Sequence, residues 1–408
     1  MRGTTDDVVL IEEPGVVRRF IAARSVAILG DQTVTYFVPI AVYGATRSVT
    51  TSGVAFLVQW LPRIVSTPLS GAVVDRFPPR AQLVVVDLLR AALLGGAALT
   101  GSISALVVAS GLATLLNGHS TIAVESILGR QVPPDAYPRT QSDFQAAQQL
   151  VTVAGPALGG ALVAALPTDA GLAVIAAVFV LSGAWTGAGF RALGRGTVGA
   201  GESSVAARLR TGVRTVLTSR ATLALVGVTL CVNLVGSLAL ASLPPIVAGS
   251  LGEPDAAVGV LAAAATVLSL GAAVIVGRVT AARPVDVVLP WVLGALAISA
   301  VLMVVAHHVV VMGIGYGLWS AGVTAFAVWM RTWRVRLIPR EHLGAGLGVF
   351  VSLIMVTAPL AGLVLATVGE RIGPQATLAA AALASALAVV PAYRRFRRET
   401  ALHPDVTG

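Results

Sequence analysis

Residues 221–248 read ATLALVGVTLCVNLVGSLALASLPPIVA, and no charged side chain interrupts them. A bilayer's hydrocarbon core is crossed by about 20 apolar residues in an α-helix. This run exceeds that length. Its apolar residues are continuous and do not alternate with a period of two, so the pattern is that of a helix and not of a barrel strand. In hydrocarbon every backbone amide must find its partner within the segment, and a helix achieves this.

Eleven further runs of the same kind flank it, at roughly 20–43, 52–74, 82–100, 104–125, 142–166, 170–190, 256–278, 286–306, 309–330, 343–368 and 374–393. The chain of 408 residues is 56% hydrophobic and only 12% charged. Soluble domains carry about a quarter charged residues. So few charges cannot cover the surface of a soluble chain this long, whereas lipid tails solvate apolar side chains directly. The expected class is an all-α integral membrane protein with twelve transmembrane helices.

The 28 basic residues are all arginine, and the formal net charge is +9. Their placement orients the chain. Arg47 and Arg371 fall in connections on one side, and Arg24, Arg63 and Arg90 lie within the runs. Arg278 ends the run 256–278 on the opposite side, and all the others fall in the connections and tails of that side. The positive-inside rule then puts both termini in the cytoplasm of a cell (inner or plasma) membrane. Arginines in short blocks between apolar runs read as orientation signals, not as a nucleic-acid surface. Met1 to Glu13 has four acids and no apolar core, and reads as a short soluble arm rather than a cleavable signal. The single Cys231 permits no disulfide framework.

The longest connection, 191–220, opens with a Gly-rich piece. Val205, Leu209, Val213 and Val216 then recur at helical spacing beside Arg208, Arg210 and Arg214. This predicts an amphipathic helix on the inner membrane surface. The expected organisation is an N-terminal six-helix bundle at 1–190, a linker at 191–220 and a C-terminal six-helix bundle at 221–408. The halves echo each other: Pro39-Ile40 matches Pro245-Ile246 and Gly53 matches Gly259, both at an offset of 206. Val132-Pro133-Pro134-Asp135 parallels Leu337-Ile338-Pro339-Arg340, and Gly155-Pro156 parallels Ala358-Pro359. Ordered matches of this kind mark an internal repeat, and internal repeats are a transporter signature.

Two motifs resemble those of the major facilitator superfamily. Between the second and third runs stand Gly71, Asp75, Arg76, Arg80 and Leu83, spaced as in the family's G-x-x-x-D-R-x-G-R-R/K-x-x-L loop, with Pro78 and Pro79 where the pattern has Gly and Arg. In the fifth run Gly155-Pro156-Ala157-Leu158-Gly159-Gly160 is similar to the G-P-x-x-G-G core of a motif associated with exporters, with Ala146 in place of an earlier glycine. Arg24-Ser25 through Gly30-Asp31 and Asp87 through Ala91 resemble the macrolide-efflux and siderophore (enterobactin-type) exporter branch. The resemblance implies the major facilitator fold, two pseudo-symmetric six-helix bundles, and secondary active transport by alternating access. It implies a gate at Gly71, Asp75, Arg76 and Arg80, joined by Asp87 and Arg90.

Ionisable groups at membrane depth are costly and face a cavity or one another. Asp31 lies 12 residues past Arg19, and Arg63 lies 12 before Asp75. At 1.5 Å per residue each is roughly 18 Å from the cytoplasmic face. A switchable Asp31–Arg63 pair that carries a proton is therefore expected, with a static ion pair as its bland counterpart. Arg24, Asp87, Arg90 and Glu125 are expected nearer the inner face, in a gate network or simply reaching out to the interface. Asn117 and His119, two apart on one helix, point in different directions, so both cannot face a cavity.

In the second half, Asn233 and an aromatic stripe (Tyr316, Trp319, Phe326 and Trp333) are candidates for an amphiphilic substrate, or for plain packing. The resemblance places the cavity on the first, fourth, seventh and tenth helices. No metal cluster, nucleophilic triad or phosphate loop is legible, so no enzyme activity, cofactor or metal is expected. The expected partners are a small-molecule substrate, protons and the lipid bilayer, for a chain acting as a monomer. The reading is a proton-coupled exporter (antiporter) of drugs, siderophores or secondary metabolites. An uptake carrier or uniporter of the same fold, and a membrane sensor or scaffold, stand as alternatives.

Overall fold

A computed structural model of the chain describes residues 13–74, 78–133, 136–190, 205–282, 285–339 and 342–401. All regular structure among these residues is helical. In the first half the helices are α1 (Pro14–Thr46), α2 (Val49–Val74), α3 (Pro79–Thr100), α4 (Ile103–Gln131), α5 (Tyr137–Ala165) and α6 (Thr168–Gly189). Then follow α7 (Val205–Thr218), α8 (Arg220–Pro244), α9 (Asp255–Ala282), α10 (Leu289–Val304), α11 (Val309–Leu337), α12 (Leu343–Met355), α13 (Thr357–Ile372) and α14 (Pro374–Ala401). Among the described residues ten helical stretches are long and apolar enough to cross a bilayer, with α12 and α13 forming one of them. The remaining two expected spans coincide with α2 and with the shorter α10. The helix expected in the linker is α7.

Proline explains most departures from regular helix. Pro244 and Pro245 remove two consecutive donors, and α8 runs on into a π-helical turn, Pro245–Ser250. Pro359 cannot donate back to Met355, and there the eleventh span divides into α12 and α13. Pro156 lies inside α5. The start of α8 is capped by a hydroxyl: the Thr222 amide donates to Ser219 Oγ at 3.2 Å.

The chain forms two compact units, Met1–Val38 with Val58–Val205, and Pro39–Leu57 with Ala206–Gly408. The hairpin Pro39–Leu57 belongs to the second unit. Arg47 on it pairs with Asp255 at 3.2 Å, and Thr50 bonds Glu370 and, at 3.1 Å, the Ala366 carbonyl. Gly53 lies so close to Gly362 and Ala366 of α13 that a Cβ would overlap their backbone. Close contact between small residues replaces the hydrophobic drive that lipid does not supply.

In the first unit α3 packs chiefly against α6 and α4. One end of this unit is closed by an apolar cluster that includes Phe20, Ile21, Leu83, Ile127, Leu128, Phe144 and Phe190. Phe20 and Phe190 meet edge to face at 5.5 Å. In the second unit α11 packs on α9 and α10, and α8 on α14 and α13.

Candidate functional site: a buried arginine–aspartate network

Above the Phe20–Phe190 cluster, four ionisable side chains from two helices share one pocket. Arg24 and Asp31 come from α1, Asp87 and Arg90 from α3. Arg24, Asp87 and Arg90 are almost wholly buried, while the Asp31 side chain keeps 14% of its surface. Arg24 holds Asp87 in a fork: Nη1 donates to Oδ2 at 2.8 Å and Nη2 to Oδ1 at 3.3 Å. The hydroxyls of Ser120 on α4 (3.0 Å) and Thr186 on α6 (3.3 Å) accept from the same guanidinium. Ser182 Oγ, also on α6, donates to Asp87 Oδ2 at 2.8 Å. A charge pair away from water needs this density of partners, because either ion alone would be strongly disfavoured.

Arg90 is placed between the two carboxylates. Its Nη1 lies 3.2 Å from Asp31 Oδ2 and 3.8 Å from Asp87 Oδ1. Its guanidinium stands 5.4 Å from the ring centroid of Phe179, and that ring packs in turn on the backbone of Gly30, next to Asp31. The Nε and Nη2 atoms of Arg90 are buried without a hydrogen-bond partner. Arg90 therefore has donors to spare, a short bond to one acid and a short move to the other.

Asp31 is joined to Arg90 at 3.2 Å, and the guanidinium of Arg63, the partner expected for it, lies over the Trp60 ring at 4.5 Å. Depth along a helix could not discriminate, since Arg90 is 11 residues past Pro79 and Arg63 is 12 before Asp75. Arg24 does not reach out to the interface; it is the centre of the network. Glu125 lies at an exposed position of α4, outside the network. His119 lines an apolar pocket of about 410 Å³ together with Pro78, Ala81, Gln82, Val85, Val86 and Leu116.

Of the gate motif, Asp75 and Arg76 lie outside the described residues, as does the surrounding of Gly71 at the end of α2. Arg80 donates to the carbonyls of Thr186 (3.4 Å) and Gly187 in the last turn of α6. A cation there satisfies orphan carbonyls and complements the helix dipole. Thr186 thus receives Arg24 on its hydroxyl and Arg80 on its carbonyl.

The Gly155–Gly160 motif faces the same site. Gly155, Pro156, Gly159 and Gly160 are buried, while Ala157 and Leu158 are exposed. A Cβ on Gly155 would overlap Gln32, and one on Gly159 would stand 3.1 Å from both Phe37 N and Thr33 O. The glycines bring the α5 backbone against α1 within two turns of Asp31.

In the second unit the aromatic stripe is packed inside protein. Tyr316, Trp319, Phe326 and Trp333 are all buried. Phe326 meets Trp329 at 5.6 Å. Trp319 turns its indole nitrogen, which has no partner, toward Gly236, one turn beyond the half-buried Asn233. The sequence reading missed Ser120, Phe179, Ser182 and Thr186. Ser182 and Thr186 are four apart on one apolar helix, a spacing that places two hydroxyls on a single face.

Comparison with known proteins gives a consistent result. The profile of the Major Facilitator Superfamily matches residues 20–327. No curated protein matches the sequence. A bacterial homologue of the human lysosomal transporter Spinster, in an inward-facing and unoccupied conformation, superposes with a TM-score of 0.70 at 12% identity, over 97% of this chain and 99% of that one. A transporter of the POT family in complex with a thioalcohol-conjugated peptide gives 0.73 at 12% identity, over 97% of both chains. A bacterial homologue of the iron transporter ferroportin gives 0.68 at 18% identity, over 94% of this chain and 98% of that one.

Proposed function

The chain belongs to the major facilitator superfamily, as a multi-pass membrane transporter and not an enzyme, and from that premise we propose that it exchanges protons for small amphiphilic compounds and carries them outward. The observation that carries this reading is Arg90 poised between Asp31 and Asp87. Asp31 is the more accessible acid and has the looser pairing, so it is the proton carrier. When Asp31 takes a proton, its hold on Arg90 weakens, and Arg90 completes its approach to Asp87. Asp87 then divides its charge between two arginines, and the bonds that join α1 to α3 and α6 are redistributed. Loss of the proton reverses the change. A bistable set of charge pairs is the kind of element that alternating access requires.

Export rests on the resemblance of the Gly155–Gly160 motif, and its contact with α1 gives the motif a physical means of following Asp31. The likeness to macrolide-efflux and siderophore exporters belongs to the same proposal, as do a plasma-membrane location with cytoplasmic termini and a monomeric state. Asn233 and the indole of Trp319 are offered as contacts for an amphiphilic substrate.

The test is transport of a compound panel in proteoliposomes with an imposed pH gradient, for the wild type and Asp31→Asn. The variant is expected to lose gradient-driven transport and keep substrate counterflow. Gradient-driven transport at the wild-type rate would overturn Asp31 as carrier. In cells, collapse of the proton gradient should raise retained substrate; a fall would point to uptake.

A further inference from the structure

The last turns of α14 read Arg394-Arg395-Phe396-Arg397-Arg398. A helix of 28 residues is about 42 Å long, whereas the hydrocarbon core is about 30 Å thick. Counted from Pro374, the hydrocarbon ends near residue 394, so these arginines stand at the depth of lipid headgroups.

Four like charges in five positions repel one another across i,i+3 and i,i+4 spacings. The helix is nevertheless held in place. Phe396 is fully buried and meets Trp329 at 5.3 Å and Trp333 at 5.1 Å, both edge to face. Thr400, one turn on, is buried too. Both indoles donate to a single acid, Asp286, at 2.7 and 2.9 Å, and Arg397 approaches that acid's other oxygen at 3.8 Å. Asp286 is thereby occupied. Phe396 and Thr400 define the inward face, and the four arginines cover the outward arc, where Arg394, Arg395, Arg397 and Arg398 are all exposed. Arg336 adds a fifth cation over the Trp333 ring, 5.5 Å from its centroid.

We propose that this end of α14 is a binding site for the phosphate headgroups of anionic phospholipids. The site is independent of the proton-coupling network. A rigid helix pinned by an aromatic box presents guanidiniums at the height where lipid phosphates lie, and guanidinium binds phosphate in a fork. The Phe396 anchor fixes the backbone that carries the arginines before the lipid arrives, so little backbone order is lost on binding.

The experiment uses the full-length protein in detergent, titrated with phosphatidylglycerol, phosphatidylcholine or inorganic phosphate, with retained lipid read by native mass spectrometry and stability by thermal unfolding. Phosphatidylglycerol is expected to remain bound and to raise the unfolding midpoint saturably, with phosphatidylcholine and phosphate inert. The double variant Arg394→Gln/Arg398→Gln is expected to bind phosphatidylglycerol roughly 25-fold more weakly, which is about 1 kcal/mol for each arginine. Arg278→Gln, at the exposed end of α9, should bind as the wild type does. Equal retention of the two lipids, an unaltered double variant, or an equal loss in the Arg278 variant would overturn the site. Saturation by inorganic phosphate alone would overturn the lipid as its ligand.

Discussion

In the first half, two arginines and two aspartates tie α1 and α3 together, with hydroxyls of α4 and α6 completing their bonds. Shifted by the 206-residue repeat offset, Arg24, Asp31, Asp87 and Arg90 fall on Leu230, Ser237, Leu293 and Leu296 in the second half. The same helices, laid out twice, carry four charged side chains in one half and three leucines and a serine in the other. Helices of this kind therefore associate in lipid without buried ions. Buried pairs are weak stabilisers compared with apolar residues of similar volume. The charge in the first half adds a cost that packing does not require, and the proposed proton switch is what it provides. In the second half Asp286 lies just before α10 and bonds indole N–H groups.

The strongest way to break this contrast is to carry one half's solution into the other. Asp87→Asn leaves Arg24 buried without its counter-charge, and a loss of about 3–5 kcal/mol is expected, seen as a large fall in the unfolding midpoint in detergent. Arg24→Leu/Asp87→Leu, which copies Leu230 and Leu293, should recover most of that stability and still fail to transport. A double variant as unstable as the single one would show that the first half needs charge to fold.

A smaller effect, about 1–3 kcal/mol with reduced transport, is expected for Gly155→Leu, because the new side chain must displace Gln32 of α1. At the matching place in the second half, Ala358→Gly should cost only about 0.5–1 kcal/mol through helix propensity. Equal losses at the two sites, by thermal unfolding, would count against a special α1–α5 contact.

Smaller still is Trp333→Phe, which deletes one of two indole bonds to the part-exposed Asp286; about 1 kcal/mol is expected from the same measurement. Arg397→Gln should change stability by under about 0.5 kcal/mol, since that pair is long and open to water.

The helices were legible because hydrocarbon imposes a length and a composition on each span, and both can be counted along the chain. Each of the twelve apolar runs, from 20–43 to 374–393, coincides with a helix or a helix pair. The linker helix α7 was legible from its amphipathic spacing. The presence of ionisable groups at membrane depth was legible too, because charge in an apolar run stands out. Their pairing was not. Asp31, Arg63 and Arg90 share nearly one depth, and depth is the only coordinate that a sequence gives; rotation about the helix axis and the choice of neighbour come from packing. The Phe179 ring on Gly30, the approach of α5 to Gln32 through glycine, and the hydroxyls of Ser182 and Thr186 beside Asp87 are decided by side chains from helices far apart in the chain. Sequence thus sets which groups are buried, through the solvent each segment must meet. Only tertiary contact sets which of them meet, because an ion pair depends on ångström-scale distances between helices.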